Sequence, residues 1–244
     1  MEVITIANQK GGTAKSSTAV ILSQAAAADG KRTLAIDLDP QGNSSFSLAA
    51  NMRQGNSLDL LEGTKPRQLI QHSPTGPDVI PAGRDLSTAT SSRGSATRLQ
   101  TALRPLRLYY DVVIIDTPTG PGELQYNALQ AATGLLIPLH AELYSLQGLH
   151  EMAATAAQIR KSNPALTKIG IVITHYDGRS NIDQQMHENI IEAARDLNIA
   201  YYGTVRTGKT VKEAVSLQLN LFDHAPKSKP ALDYMEVYKN LVGA

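Results

Sequence analysis

The chain has 244 residues, no cysteine and a formal net charge of +1, with 42% apolar and 18% charged residues. That is the composition of a globular chain able to bury a core. It excludes disulfides, thiolate metal sites and cysteine-ligated iron–sulfur clusters. Near-neutrality means that any nucleic-acid binding requires a local patch or an assembled dimer. Met1–Ala7 reads as a strand rather than a targeting peptide. No run of about 18 apolar residues marks a membrane helix. A cytoplasmic, membrane-free protein is expected.

Short apolar runs alternate with helical stretches. Val3–Ala7 predicts a first strand, and Ala-rich Lys15–Asp29 a helix stopped by Gly30. Thr33–Asp37 is a second strand and Asp111–Asp116 a third clear one. Gly134–Leu139, Ile169–Thr174 and Tyr201–Val205 follow. Helices are expected near 122–132, 146–162 and 183–197. The Gly-, Ser-, Pro- and Thr-rich segment 51–95 predicts surface loops and short helices. Near-continuous apolar strands suit a parallel sheet covered on both faces. The expected fold class is therefore α/β, a single doubly wound, mostly parallel sheet flanked by helices, in one domain over 1–244.

Between the first strand and the first helix lies Gln9-Lys10-Gly11-Gly12-Thr13-Ala14-Lys15-Ser16-Ser17. This is the context of a phosphate-binding loop. Two glycines allow close backbone approach, and successive N–H groups with the helix start form an anion cradle. Lys15 suits β- and γ-phosphates, the Ser16 hydroxyl suits Mg²⁺, and Ser17 suits the α-phosphate. Ala14 replaces the glycine of the general pattern, and an alanine at positive φ costs on the order of 1 kcal/mol.

Lys10–Ser16 resembles the deviant Walker A box, Lys-Gly-Gly-x-x-Lys-[Ser/Thr], of the ParA/MinD/Soj ATPases. By that resemblance Lys10 reaches the ATP of a partner subunit, tying ATP binding to dimerisation. Asp37-Leu38-Asp39-Pro40-Gln41-Gly42-Asn43 resembles the family's second box. Asp39 is expected to orient the attacking water, and Asp37 to stand near the metal or brace the loop. Val112–Asp116 resembles a Walker B strand, with Asp116 on Mg²⁺ directly or through water. The family usually continues Asp-x-Pro-Pro, whereas Thr119 stands at the second proline here. Thr117 to Gly122, with Pro118, is a candidate switch loop sensing the γ-phosphate. Glu142 is expected at the partner's nucleotide or the dimer seam. Residues 173–179 resemble the loop beside the purine, and 204–214 the late loop and helix start. The histidines have no metal-ligand spacing.

The resemblance narrows by added parts. There are no cysteines for an iron-protein branch, no basic membrane helix near residues 234–244, and no room for a helix-turn-helix before the first strand. The small Soj-like type that remains implies an ATP hydrolase, slow without its partner, for plasmid, mobile-element or chromosome segregation. It further implies ATP/ADP and Mg²⁺ as ligands, a homodimer with ATP, non-specific DNA on the nucleoid, and a ParB-like partner. Arg206, Lys209 and Lys212 are expected to contribute to DNA binding. A second basic stretch, Arg84, Arg93, Arg98, Arg104 and Arg107, reads more simply as solvated surface. Two alternatives stand beside this reading: an ATPase positioning another cargo, and a switch that scarcely hydrolyses because of Ala14.

Overall fold

The computed structural model describes residues 1–88 and 97–243, without the side chains of residues 87 and 88; Arg93 lies outside them. Among these residues eight strands form one sheet: β1 (Glu2–Ile6), β2 (Thr33–Asp37), β3 (Gln71–His72), β4 (Asp78–Ile80), β5 (Val112–Asp116), β6 (Gly134–His140), β7 (Lys168–Tyr176) and β8 (Ala200–Arg206). Their order is β3-β4-β2-β5-β1-β6-β7-β8. All neighbours run parallel except the β3–β4 pair. The alternation of strands and helices builds this sheet as expected. Every residue of β2 and β5 is buried, which is why they read as unbroken apolar runs rather than alternating ones.

Helices α1 (Lys15–Ala28), α2 (Asn43–Ser47), α3 (Ser57–Leu61), α4 (Arg98–Leu103), α5 (Glu123–Ala131), α6 (Tyr144–Ser162), α7 (Asn181–Asp196), α8 (Lys209–Ser216), α9 (Leu221–His224) and α10 (Lys229–Val242) connect the strands. α1 is buried along most of its length. Ile21, Leu22, Ala25 and Ala26 share one core with Ile4, Ile6 and Ile114 of the sheet and Tyr234 and Val237 of α10. The alanines allow the close approach that a helix packed on both sides needs. Gly30, at φ 78, ends α1, and Lys31 N–H returns to the Ala26 carbonyl. Two further cores fill the other face, one under α3 to α5 and one between α5, α6 and α7.

The segment after α2 departs from the expectation of loops and short helices alone. It also supplies β3 and β4, and β4 extends the parallel sheet beside β2. A three-residue strand between Pro77 and Pro81 is too short to show a periodicity, so only pairing with β2 reveals it. Asn56 caps α3 by accepting from Leu58 N–H, while Asp59 accepts from Asn56 N–H. α4 also lies beyond what the sequence pattern gave. Among the described residues no helix is long and apolar enough to cross a membrane.

Register decides what meets at the carboxyl ends of the strands. Asp37 and Asp116 are partners across β2 and β5, and Ile6 partners Asp116 across β1 and β5. The loop leaving β1 therefore passes over two adjacent carboxylates.

Candidate nucleotide site

Residues Gln9 to Ala14 leave β1, and Lys15 opens α1. Gly12 has φ 76, and Ala14 sits at φ 64, ψ 27 as the residue before the helix. The left-handed alanine anticipated from the sequence is thus present, with no side-chain cap to offset its strain. Asn8, which the sequence reading passed over, fixes the loop's entry. Its Nδ2 donates to the Pro138 carbonyl at 2.8 Å and its Oδ1 accepts from Lys10 N–H at 3.0 Å. Thr174 donates to the Leu139 carbonyl, with a longer contact to that of Thr13. The loop is thereby held against the ends of β6 and β7.

Lys15 is largely buried, and burial lowers its pKa, opposed by Asp116 and then Asp39. Its ammonium donates to the Lys10 carbonyl and to Thr119 Oγ1, each at 3.1 Å. Lys10 instead points to the start of α6. It forms an ion pair with Glu142 and lies 5.4 Å from the Tyr144 ring centroid. Glu142, expected at a partner's nucleotide or a seam, here contacts the signature lysine of its own chain.

The carboxylates differ sharply in their partners. Asp37 Oδ2 accepts from Ser45 N–H at 2.8 Å and Ser45 Oγ at 2.7 Å, and Oδ1 accepts from Asp39 N–H at 2.9 Å. Of the two roles foreseen for Asp37, this geometry is that of a brace. Asp39 caps its own turn, accepting from Gln41 N–H at 3.0 Å. Gly42 follows at φ 67 and starts α2. Asp116 Oδ2 accepts from Ser44 Oγ at 2.7 Å, but among the described residues its buried Oδ1 accepts no hydrogen bond. Burial raises the pKa of both Asp37 and Asp116, and like-charge repulsion adds to it, from Asp39 on Asp37 and from Asp37 and then Asp39 on Asp116. The nearby Ser16 hydroxyl eases the shift on Asp116. A buried, unpartnered carboxylate oxygen beside a serine hydroxyl fits a small hard cation. Ser44 and Ser45 were invisible as site residues in the sequence, although they directly follow the second box.

A cleft of about 380 Å³ is lined by residues 12–17, Asp39, Asn43, Phe46, Ser47, Thr119, Val215 and Ser216. A second hollow of about 400 Å³ shares Ser17 and Val215 with it and adds His175, residues 205–209 and Tyr234. Segment 173–179, expected beside a purine, and segment 204–214, the late loop and helix start, thus contribute to one groove continuing from the phosphate loop. His175 has φ 56 and stacks on His140 at 4.8 Å between centroids.

Thr117 is buried and donates to the Ile6 carbonyl at 2.8 Å, so the proposed switch segment is anchored at its start. Thr119 is exposed, and Gly120 follows at φ 88. Lys209 and Lys212 are exposed on α8. Arg206 does not present a free cation: its Nε and backbone N–H donate to Asp233 Oδ2, each at 2.9 Å, and its Nη2 pairs with Oδ1.

The family model described as an AAA domain matches residues 1–168. The chromosome-partitioning ATPase Soj of Thermus thermophilus is 36% identical over 241 residues, covering 98% of this chain and 94% of that protein. The chromosome partitioning protein ParA of Myxococcus xanthus is 39% identical over 198 residues, covering 77% of this chain and 70% of that protein. The chain belongs to the ParA/Soj family of partition ATPases. Among solved structures, cobyrinic acid a,c-diamide synthase from Mycobacterium smegmatis with bound ATP analog and magnesium has TM-score 0.83 at 28% identity. It covers 98% of this chain and 93% of that chain. A synthase thus shares the architecture of this ParA/Soj family member, so the fold alone does not decide the reaction.

Two outcomes follow for this ParA/Soj protein. Ala14→Gly removes the left-handed penalty while loosening the unfolded chain, and is expected to stabilise by roughly 0.5–1 kcal/mol. Thermal unfolding of the two proteins measures this. For Asp116, folding raises the pKa, so the folded state binds the proton more tightly than the unfolded chain. Stability therefore falls as pH rises above the unfolded carboxylate range. Asp116→Asn is expected to raise stability at pH 8 by about 1 kcal/mol or more, and the gain should vanish as pH falls toward about 4. Urea unfolding across that range is the measurement.

Proposed function

We propose that the protein is an ATP-switched DNA-partition ATPase working as a homodimer. The observation that carries this reading is the unpartnered, buried Oδ1 of Asp116 beneath the phosphate loop, beside Ser16 and Lys15. In this reading Lys10, Gly11, Gly12, Thr13, Ala14, Lys15, Ser16 and Ser17 surround the ATP phosphates. Ser16 and Asp116 hold Mg²⁺, and Asp37 braces the carboxylate loop. The metal, when bound, offsets charge on the phosphoryl oxygens. The groove shared with His175 and residues 205–209 takes the base.

Hydrolysis needs a water aligned with the γ-phosphorus. Asp39 lines the cleft and orients that water through its carboxylate. The new P–O bond forms as the bond to ADP breaks, leaving ADP and phosphate. Lys15 neutralises charge as it develops, and Lys10 from the partner subunit adds a second cation. For that, Lys10 must leave Glu142. A partly exposed ion pair is worth only about 0.2–1 kcal/mol, so the contact holds the lysine without trapping it. Pro118 and the residues after it respond to the γ-phosphate from their anchor at Thr117.

The ATP dimer binds duplex DNA without sequence preference and is nucleoid-associated in a cytoplasmic setting, and a ParB-like partner stimulates hydrolysis and release. Lys209 and Lys212 carry the DNA contact. Arg206 supports that surface through Asp233 rather than by a free charge. A second reading, the same switch with very slow turnover, is favoured by the strained Ala14.

Size exclusion tests the switch. A dimer is expected for Asp39→Ala with ATP, and a monomer with ADP or in Lys10→Ala with ATP. A monomer in every condition would contradict the sandwich. For DNA, the Lys209→Ala/Lys212→Ala double variant with ATP should lose roughly tenfold or more of its retention on non-specific duplex at low salt. Unchanged retention would remove α8 from the interface. A wild-type protein that dimerises with ATP yet ignores DNA would favour another cargo.

A further inference from the structure

Thr119 stands where the family's Asp-x-Pro-Pro run has its second proline, so a hydroxyl replaces a ring at the cleft wall. Its backbone is anchored on one side and turns on the other. Thr117 is anchored to the Ile6 carbonyl, and Gly120 turns the chain at φ 88. The side chain lies over the phosphate loop: a methyl placed on Gly11 would lie 3.7 Å from Thr119 Cγ2. Thr119 Oγ1 accepts from Lys15 Nζ at 3.1 Å.

Position along the cleft follows from its neighbours. Ser17 and Val215 mark the end that opens into the second hollow. Thr119 bonds Lys15 and stands over the open side of Gly11, at the other end of the loop. Lysine in a phosphate loop serves the β- and γ-phosphates, so this is the end of the terminal phosphate. A threonine hydroxyl has one proton to donate and two lone pairs to accept with. Lys15 takes one lone pair. Among the described residues, no hydrogen bond uses the proton.

We propose that Thr119 Oγ1 donates this proton to an oxygen of the terminal phosphate, and so helps the site distinguish a triphosphate from a diphosphate. One hydroxyl would serve two partners at once, accepting from Lys15 and donating to the phosphate. This keeps the lysine aimed at the anion. Proline at this position offers neither function. The inference rests on the ATP reading above. A hydrogen bond to a charged acceptor contributes enough for roughly a tenfold preference.

The test is calorimetric titration of the full chain with Mg²⁺ and either ADP or a non-hydrolysable ATP analogue. Lys10→Ala serves as the background, so that dimerisation does not add to the binding. The ratio of triphosphate to diphosphate affinity should fall roughly tenfold in Thr119→Val and be restored in Thr119→Ser. A valine variant that weakens both nucleotides equally would show a merely structural role through Lys15, and an unchanged ratio would also overturn the proposal. An unsubstituted protein that binds neither nucleotide in the same titration would overturn the ATP reading itself. Retained ADP affinity in Thr119→Val certifies that the loop is folded.

Discussion

Asp37 and Asp116 end neighbouring parallel strands as register partners, both buried, under the loop that leaves β1. Two carboxylates so placed repel each other and lack water. The surrounding structure answers the first by saturating it. Ser45 and Asp39 N–H occupy both oxygens of Asp37. The second is left half satisfied, with Ser44 on one oxygen and, among the described residues, no hydrogen bond to the other. A buried acceptor without a donor costs free energy, and a cation with its phosphate ligand would relieve it. Stability and ligand binding therefore draw on the same pair of side chains.

The phosphate loop carries a second tension. Ala14 takes the left-handed conformation that glycine adopts without strain, at the junction where α1 begins. The loop tolerates this because its ends are tied down elsewhere, by Asn8 to β6 and by the buried α1 to the sheet and α10. Tyr234 of α10 reaches Thr18 at 3.2 Å, so the last helix reinforces the first turn of α1. Strain here is local and is held in place by packing on three sides.

The cations around the site are arranged by reach. Lys15 is short of water and points inward to Thr119 and the Lys10 carbonyl. Lys10 is half exposed and rests on Glu142 and Tyr144 at the start of α6, where a modest ion pair restrains it. The two lysines of one box thus have different environments, which suits one acting within the subunit and one acting across a subunit boundary. Arg206 looks the same as Lys209 in a list of charges. Its forked bond to the nearly buried Asp233 makes it a structural residue first.

Much of this was legible in the residue order. The alternation of apolar runs and helical stretches, the Gly-Gly turn before Lys15 and the carboxylates closing β2 and β5 all depend on local geometry, which neighbouring residues express directly. The strained alanine was legible for the same reason. Strand β4, α4 and the roles of Asn8, Ser44 and Ser45 were not, because a three-residue strand or a lone serine has no periodicity and acquires meaning only from its partner. The division between Asp37 and Asp116 was hidden too: each is an Asp at a strand end, and only tertiary hydrogen bonding saturates one and leaves the other open. Local residue order is enough to specify the strand–loop–helix that approaches an anion and the acidic residues beside it. Tertiary structure decided which oxygen stays free, where Lys10 rests and that Arg206 is already paired, since these follow from contacts between segments far apart in the chain.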